Sequence, residues 1–277
     1  MSGADILDKK RKKVHVSSPP VLISVFNKSS LSTDADIERA VEAVGVQLAR
    51  DYAPIWGMAP GLEFVPKGAS GSGGAPCNVS DVSDQEGAAG YHFSDASGTQ
   101  IAVFCRPSFD AGSTTIAGVE AVSGCLSHEC LETSCNPAAN RWADGPDGRD
   151  VGLEVGDPVQ PGTLAETYSE NGVVLANFVY PAWFDPNAPA GSKFDHLGIL
   201  RAPFTITDAG YLIVRTEPGT ISDIFVSMMH PSGKATAHDV GSGVYAILGP
   251  KVPEHRKMGI LWKASRRLPR EHHRARP

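Results

Sequence analysis

The first part of the chain alternates apolar and polar residues in a way that predicts a strand, a helix and a second strand. Residues 21–26 (VLISVF) form a short apolar run between prolines and a polar turn, which is typical of a buried strand. Residues 32–52 repeat apolar side chains at helical intervals and begin with serine, threonine and aspartate, which cap helices. Residues 62–65 (LEFV) then predict a second strand.

A glycine-rich segment follows, and after it a predicted hairpin and a second long helix. Residues 67–90 predict a loop. Their glycines do not indicate a phosphate site, because no helix follows directly and no Lys-Ser/Thr pair closes the segment. Residues 90–94 and 100–105 predict the two strands of a hairpin. Residues 114–135 predict a helix that ends before Pro137.

The pattern changes in the second half of the chain. Residues 143–162 are dense in glycine, proline and aspartate, which favour turns. Three strand-like runs follow, separated by proline and glycine: residues 171–184, 202–216 and 242–248. No internal repeat is evident. Two helices and a mixed sheet followed by a β-rich half predict an α+β fold.

Charge is distributed unevenly along the 277 residues, whose net charge is −6. Residues 1–13 carry +3 and residues 251–277 carry +7, and subtracting both from the total leaves −16 for residues 14–250. The basic ends are either solvated, solubilising tails or segments that dock on an acidic surface or on nucleic acid. The acidic surface would belong to this chain or to a neighbouring copy.

The cysteines and the apolar runs exclude several classes of protein. The five cysteines are an odd number without a CxxC pair. Three of them, Cys125, Cys130 and Cys135, are each rotated by about 140° from the last along a helix, so they cannot share a face. We expect reduced, structural thiols. The longest apolar runs are too short to cross a bilayer, and no secretion signal follows the basic start. We therefore expect a soluble, non-exported protein.

The run LSHECLETSCNP, residues 126–137, contains the candidate chemistry. His128 and Glu132 are four residues apart, so a helix places both on one face about 6 Å apart, as two ligands of one metal ion require. Glu129, one step round the helix, is placed to accept a proton from a metal-bound water. Glu154 is the best-placed third ligand, beyond a turn-rich reversal. Alternative or supporting ligands are Asp157, His196 and, less favourably, His238.

The motif and the segments after it resemble a known family. The runs are SHECLETSCNPAANRW, LEVGDPV, NGVVLANFVYPAWFDP, DHLG and APFTITDAGYLIV, which together span about residues 120–215. They resemble a family of zincin-like proteins of tailed phages and prophages with an HExxE-type helix. The resemblance implies a phage origin, metal ligands at His128, Glu132 and Glu154, and Glu129 as the base. The predicted order of strand, helix, strand and hairpin before the motif helix is also that of zincin catalytic domains.

These observations predict a domain layout. Residues 1–19 form a basic arm, and residues 20–142 a zincin-like domain with a mixed sheet and two long helices. Residues 143–250 form a β-rich part that completes the same globule, and residues 251–277 form a basic tail.

The ligand set limits the expected chemistry. One histidine and two carboxylates leave a zinc site near zero net charge, which raises the pKa of bound water and weakens hydrolysis. Carboxylate-rich sites also accept Ca²⁺, Mg²⁺ or Mn²⁺. The cofactor expectation is therefore zinc or one of these ions, or no metal at all.

Three functions remain open from the sequence. The first is a structural or accessory virion protein of a tailed phage, made in the host cytoplasm and located in the virion. Its basic ends would contact other phage structural proteins or copies of itself. The second is an active metallopeptidase or metallohydrolase with Glu129 as general base. The third is a phage protein that binds nucleic acid non-specifically through its tails. None involves a membrane.

Overall fold

The computed structural model describes residues 21–216, 229–241 and 243–266, except for the side chain of Asp147. The structure is α+β, as the sequence predicts. The predicted basic arm (residues 1–19) and the end of the predicted basic tail (from residue 267) lie outside the described residues.

The first half of the chain forms a five-stranded mixed sheet. Its strands are β1 (Leu22–Asn27), β2 (Gly61–Val65), β3 (Ala75–Ser80), β4 (Gly90–Asp95) and β5 (Gly98–Phe104). They are ordered β2-β1-β3-β5-β4, and all pairs are parallel except β4 with β5. The antiparallel strand β4 forms one edge of the sheet, and β2 forms the other. The predicted hairpin is confirmed, with β4 and β5 joined by a tight turn.

Helices pack against this sheet. They are α1 (Asp34–Val46), α2 (Ala53–Trp56), α3 (Cys105–Asp110) and α4 (Val122–Cys135). Thr33 caps α1, because its side chain accepts a hydrogen bond from the backbone N–H of Asp36 at 3.1 Å. One π-helical stretch, Gln47–Tyr52, continues α1 into α2, so the predicted helix 32–52 is present with a change of winding.

Two elements in the first half of the chain differ from the prediction. The predicted loop at residues 67–90 contains β3, the central strand between β1 and β5. Only Cys77 and Val79 of β3 are buried apolar residues, too few to give a strand pattern. The predicted helix at residues 114–135 begins only at Val122. Gly118 has a φ of +102°, which a right-handed helix cannot contain, and residues 114–121 form turns.

The second half of the chain forms a five-stranded antiparallel sheet and a hairpin. The sheet order is β11-β12-β10-β7-β6. Its strands are β6 (Trp142–Asp144), β7 (Asp150–Gly152), β10 (Tyr211–Arg215), β11 (Thr236–Gly241) and β12 (Val244–Leu248), and the hairpin is β8 (Tyr168–Glu170) with β9 (Val173–Leu175). The predicted strand run 171–184 contains only β9. It ends in the 3-10 turn Pro181–Phe184, because Pro181 supplies no N–H for a sheet.

Both halves contribute to one hydrophobic cluster. Leu126 and Leu131 of α4 lie in the same buried cluster as Phe178 and Trp183 of the second half. All five cysteines are free thiols, as predicted, and burial raises the pKa of Cys77 and Cys125.

Part of the predicted basic tail is a helix, α5 (Glu254–Arg266), that packs on the body of its own chain. Ile260 and Ala264 join the buried residues of the second sheet. Trp262 packs edge-on against Tyr91 of β4, with ring centroids 4.3 Å apart. Of the helices in the described part of the chain, none has the length and apolar character needed to cross a bilayer.

Candidate metal centre

Helix α4 is buried on nearly every side. It packs against α1, β4, β5 and β9, so its motif faces the protein interior. Close approach to β4 depends on Gly90, where a β-carbon would lie 2.6 Å from Sγ of Cys125 and 3.2 Å from Cγ of Glu129. The motif is therefore not the solvent face of a surface helix.

The structure pairs His128 and Glu132 as the spacing predicts. Nε2 of His128 lies 3.2 Å from Oε1 of Glu132. The same nitrogen lies within hydrogen-bond distance, 3.1 Å, of Oδ1 of Asp157. Asp157 begins a 3-10 turn just after Gly156, and a β-carbon at Gly156 would lie 2.6 Å from Nδ1 of His128. The glycine thus lets the Asp157 turn close on the histidine ring.

Glu129 faces a histidine that the sequence did not single out. Nδ1 of His92, on edge strand β4, lies 3.2 Å from Oε2 of Glu129 and 3.6 Å from Oε2 of Glu132. Nε2 of His92 donates to the backbone carbonyl of Asn136 at 2.9 Å. Glu129 is only 2% exposed. The predicted base is therefore enclosed by the protein.

Glu154 joins the same cluster from the opposite side. Its Oε1 accepts a hydrogen bond from the side-chain amide of Asn136 at 2.9 Å. Its Oε2 lies 3.7 Å from Nε2 of His92. Asn136, which ends α4, thus contacts both His92 and Glu154 and fixes their relative position.

Lys263 of α5 inserts its ammonium into this cluster. Its Nζ lies 2.5 Å from Oε2 of Glu132, 3.4 Å from Oδ1 of Asp157 and 3.9 Å from Oε1 of Glu129. The side chain is only 4% exposed. The amphipathic pattern of α5 contains the signal for this contact: Lys263 lies between Ile260 and Ala264 on the buried face.

The opposite charges in the cluster shift one another's pKa values toward the ionised forms. Burial alone would lower the pKa of His128, but Glu132 and Asp157 outweigh it and raise that pKa to about 10. Burial would raise the pKa of Glu132, but His128 and Lys263 lower it well below its usual value. Burial likewise opposes the charged form of Lys263, whose pKa is nevertheless raised by Asp157, Glu129 and Glu132. The cluster is therefore a buried network of ion pairs.

Two overlapping groups could hold a metal ion. In each group, one ligand atom per residue lies within 4.8 Å of the others. The groups are His92, Glu132 and Glu154, and His128, Glu132 and Asp157. Each offers one imidazole and two carboxylates, a donor set compatible with zinc or with harder divalent ions.

The predicted ligands are thus divided between the two groups. Glu132 belongs to both, His128 is grouped with Asp157, and Glu154 is grouped with His92. Joint coordination of one ion by His128, Glu132 and Glu154 stays a prediction. His92 was missed because a single histidine in a hairpin strand carries no spacing signal.

The other predicted ligands belong to neither group among the described residues. His196 stacks on Phe178 with ring centroids 5.1 Å apart and packs near Tyr168. Burial lowers its pKa. His238 lies on β11, within 3.3 Å of the hydroxyl of Thr236.

A small cavity lies between α4 and α5, which also contact each other directly through Glu132 and Lys263. It has a volume of about 50 Å³ and is lined in part by Gly90, Glu129 and Lys263. Such a volume holds a few water molecules and excludes a peptide. An ion pair between Arg256 of α5 and Glu120 lies beside it, and burial lowers the pKa of Arg256 to about 10. Helix α5 thus covers the candidate centre.

Comparison of the chain with protein-family models, with curated proteins and with solved structures gives no significant match in any of the three.

Proposed function

We propose that this protein has a structural or accessory role, on a zincin-like scaffold whose motif serves as a buried ion network. The observation that carries the proposal is the contact of Lys263 with Glu132. The motif helix binds the chain's own ammonium there, and α5 covers the place where a substrate would approach.

The topology supports the zincin-like part of the proposal. A strand, a helix, further strands and a hairpin precede α4, and the antiparallel edge strand β4 runs beside the motif helix. This is the order expected from the sequence for a zincin domain. The virion of a tailed phage as its location is supported by the resemblance of the motif segments alone.

The position of Glu129 supports a role other than hydrolysis. A general base must reach the proton of a water beside the substrate. Glu129 instead faces His92 and Lys263 and is 2% exposed. The donor sets add a second argument, because two carboxylates per histidine weaken the polarisation of any metal-bound water.

A second candidate function is that of a metallohydrolase with Glu129 as base. It is favoured by the two groups of ligand atoms within 4.8 Å. In such an enzyme the metal would supply the Lewis acid, and Glu129 would accept a proton from water. Substrate access would require α5 to move.

A hydrolysis assay separates the two candidates. The full chain is incubated with a mixed peptide library and Zn²⁺, Mn²⁺ or Ca²⁺, beside Glu129→Gln and beside Glu42→Gln, which alters an exposed residue of α1. We expect no cleavage that depends on Glu129. Robust cleavage that Glu129→Gln abolishes and Glu42→Gln preserves would replace the structural role with the enzymatic one.

The virion assignment has its own test. We expect a mass-spectrometric inventory of purified particles to contain the protein at a fixed copy number. The basic ends, proposed to contact phage structural proteins or other copies, are tested by deleting residues 267–277. Loss of incorporation by an otherwise folded chain is expected, and normal incorporation contradicts the proposal.

A further inference from the structure

The ammonium of Lys263 lies where the ligands of the second metal group converge. Its Nζ is 2.5 Å from Oε2 of Glu132 and 3.4 Å from Oδ1 of Asp157. The third member, His128, contacts the same two carboxylates at 3.2 and 3.1 Å. A positive group of the chain itself is thus bound by ligands that suit a metal ion.

We infer that Lys263 and a divalent cation are alternative occupants of one site formed by His128, Glu132 and Asp157. The inference goes beyond the proposed structural role. It assigns the site a ligand class, a divalent ion that accepts one imidazole and two carboxylates, such as Zn²⁺ or Mn²⁺. In the wild-type chain it also makes metal binding and docking of α5 through the Lys263 ammonium mutually exclusive.

Distance explains the exclusion. A metal about 2.1 Å from Oε2 of Glu132 would lie within roughly 4.6 Å of Nζ of Lys263, since that nitrogen is 2.5 Å from the same oxygen. Two cations this close in a buried site repel each other strongly. The metal would also take from Lys263 the carboxylate that compensates its buried charge.

A second observation points to a cation. Oε1 of Glu132 is fully buried, and no described residue makes a well-directed hydrogen bond to it. The atom lies 3.2 Å from Nε2 of His128. A carboxylate oxygen in this position has capacity for a further positive partner, beyond the ammonium that binds Oε2 of the same residue.

The contacts that dock α5 include one between two residues that are not proposed metal ligands. Gly259 lies so close to Ala88 that a β-carbon there would be 2.6 Å from Cα of Ala88. A substitution at Gly259 therefore weakens docking of α5 and leaves every proposed metal ligand unchanged.

The first experiment removes the ammonium. Full-length wild type and Lys263→Met are dialysed against Zn²⁺ or Mn²⁺ and subjected to elemental analysis, with Lys257→Met as control. Lys257 lies on the same helix in a surface pair with Glu254. We expect Lys263→Met to bind a divalent ion at least about tenfold more tightly than wild type, because a like charge beside the ion costs at least that much. Glu132→Gln in the same background should abolish the gain.

The second experiment weakens the docking of α5 and leaves the proposed metal ligands unchanged. Gly259→Ala should gain metal binding and show faster amide hydrogen exchange in residues 254–266. Gly45→Ala is the control, because no described atom lies within 4 Å of its added β-carbon. This variant decides the question if Lys263→Met does not fold.

Two results would overturn the inference. The first is that Lys263→Met folds but binds no more metal than wild type, or that Gly259→Ala shows faster exchange in α5 but binds no more metal than wild type. The other is wild type that binds metal through Glu132 while exchange in residues 254–266 is unchanged. Neither result depends on peptide hydrolysis. The hydrolysis assay alone tests the proposed structural role, so the two ideas can fail independently.

Discussion

Gly156 and His128 are in such close contact that any β-carbon at position 156 would lie 2.6 Å from Nδ1 of the histidine. The backbone at Gly156 has a φ of −90°, which other residues adopt readily. The glycine is therefore required by space and not by backbone conformation.

Gly156→Ala should accordingly lower the free energy of unfolding by about 1–3 kcal/mol, the usual cost of overpacking a buried site. Urea denaturation measures this loss. Gly45→Ala, where α1 continues into the π-helical stretch, should be neutral or stabilising by about 0.5–1 kcal/mol, because alanine is the better helix former. Equal stability of Gly156→Ala and wild type would show that the Asp157 turn can move away from His128.

The charge of His128 predicts how stability depends on pH. Its pKa rises from 6.5 to about 10 in the folded protein, because Glu132 and Asp157 outweigh burial. A group with a raised folded pKa stabilises fully below its unfolded pKa and loses that contribution as pH rises through the folded value. We therefore expect the free energy of unfolding to fall between about pH 6.5 and pH 10.

Urea denaturation across this range measures the effect. His128→Gln should flatten the profile, whereas His255→Gln, at an exposed position of α5, should leave it unchanged. A profile with the same slope in His128→Gln would assign the pH dependence to other groups.

We expect removal of the Lys263 ammonium to lower the stability of the folded protein, and a bound metal ion to restore it. Without added metal, Lys263→Met should lower the free energy of unfolding by about 3–5 kcal/mol, because it leaves buried carboxylates without their cation. Lys257→Met should change it by no more than about 0.5 kcal/mol, since its ion pair is on the surface.

Thermal unfolding with and without Zn²⁺ provides the measurement. A ligand that binds only the folded state raises Tm, so Zn²⁺ should raise the Tm of Lys263→Met more than that of wild type. A Lys263→Met protein as stable as wild type would mean that the ammonium contributes nothing to docking of α5.

The sequence predicted those elements in which apolar or ligand residues repeat at the spacing of a helix or a strand. Strand β1, helix α1 and the hairpin follow from hydrophobic spacing, and the pairing of His128 with Glu132 follows from helix geometry. His92 and Lys263 could not be placed in this way. Their approach to Glu132 depends on how β4 and α5 dock on α4, across 40 and 131 residues of chain.

The position of the basic tail was also not predictable from local sequence. Net charge alone left open whether the tail is solvated or docks on this chain, on a neighbouring copy or on nucleic acid. Ile260 and Ala264, spaced by four, provide the helical stripe that folds this segment back on the body. Lys263 lies beside that stripe, so one of the charges counted in the basic tail is buried in the ion network.

The two metal groups share Glu132 and differ in their histidine and in their second carboxylate, and the second carboxylate predicts which group holds an ion. The ammonium of Lys263 contacts Asp157, whereas Glu154 contacts Asn136 and His92. A metal that replaces the ammonium should therefore depend on Asp157. In the Lys263→Met background, Asp157→Asn should abolish the gain in metal binding, while Glu154→Gln should retain it. Both changes are close to isosteric, so differences in packing remain small.

Isothermal titration with Mn²⁺ compares the two double variants directly. The opposite pattern, with Glu154 required and Asp157 dispensable, would assign the ion to the group of His92, Glu132 and Glu154. Loss of binding in both variants would indicate one ion held across the whole cluster. That result would favour the ligand set His128, Glu132 and Glu154 expected from the sequence, with Asp157 as an additional carboxylate. Because Glu132 is common to all three arrangements, Glu132→Gln should abolish binding in each.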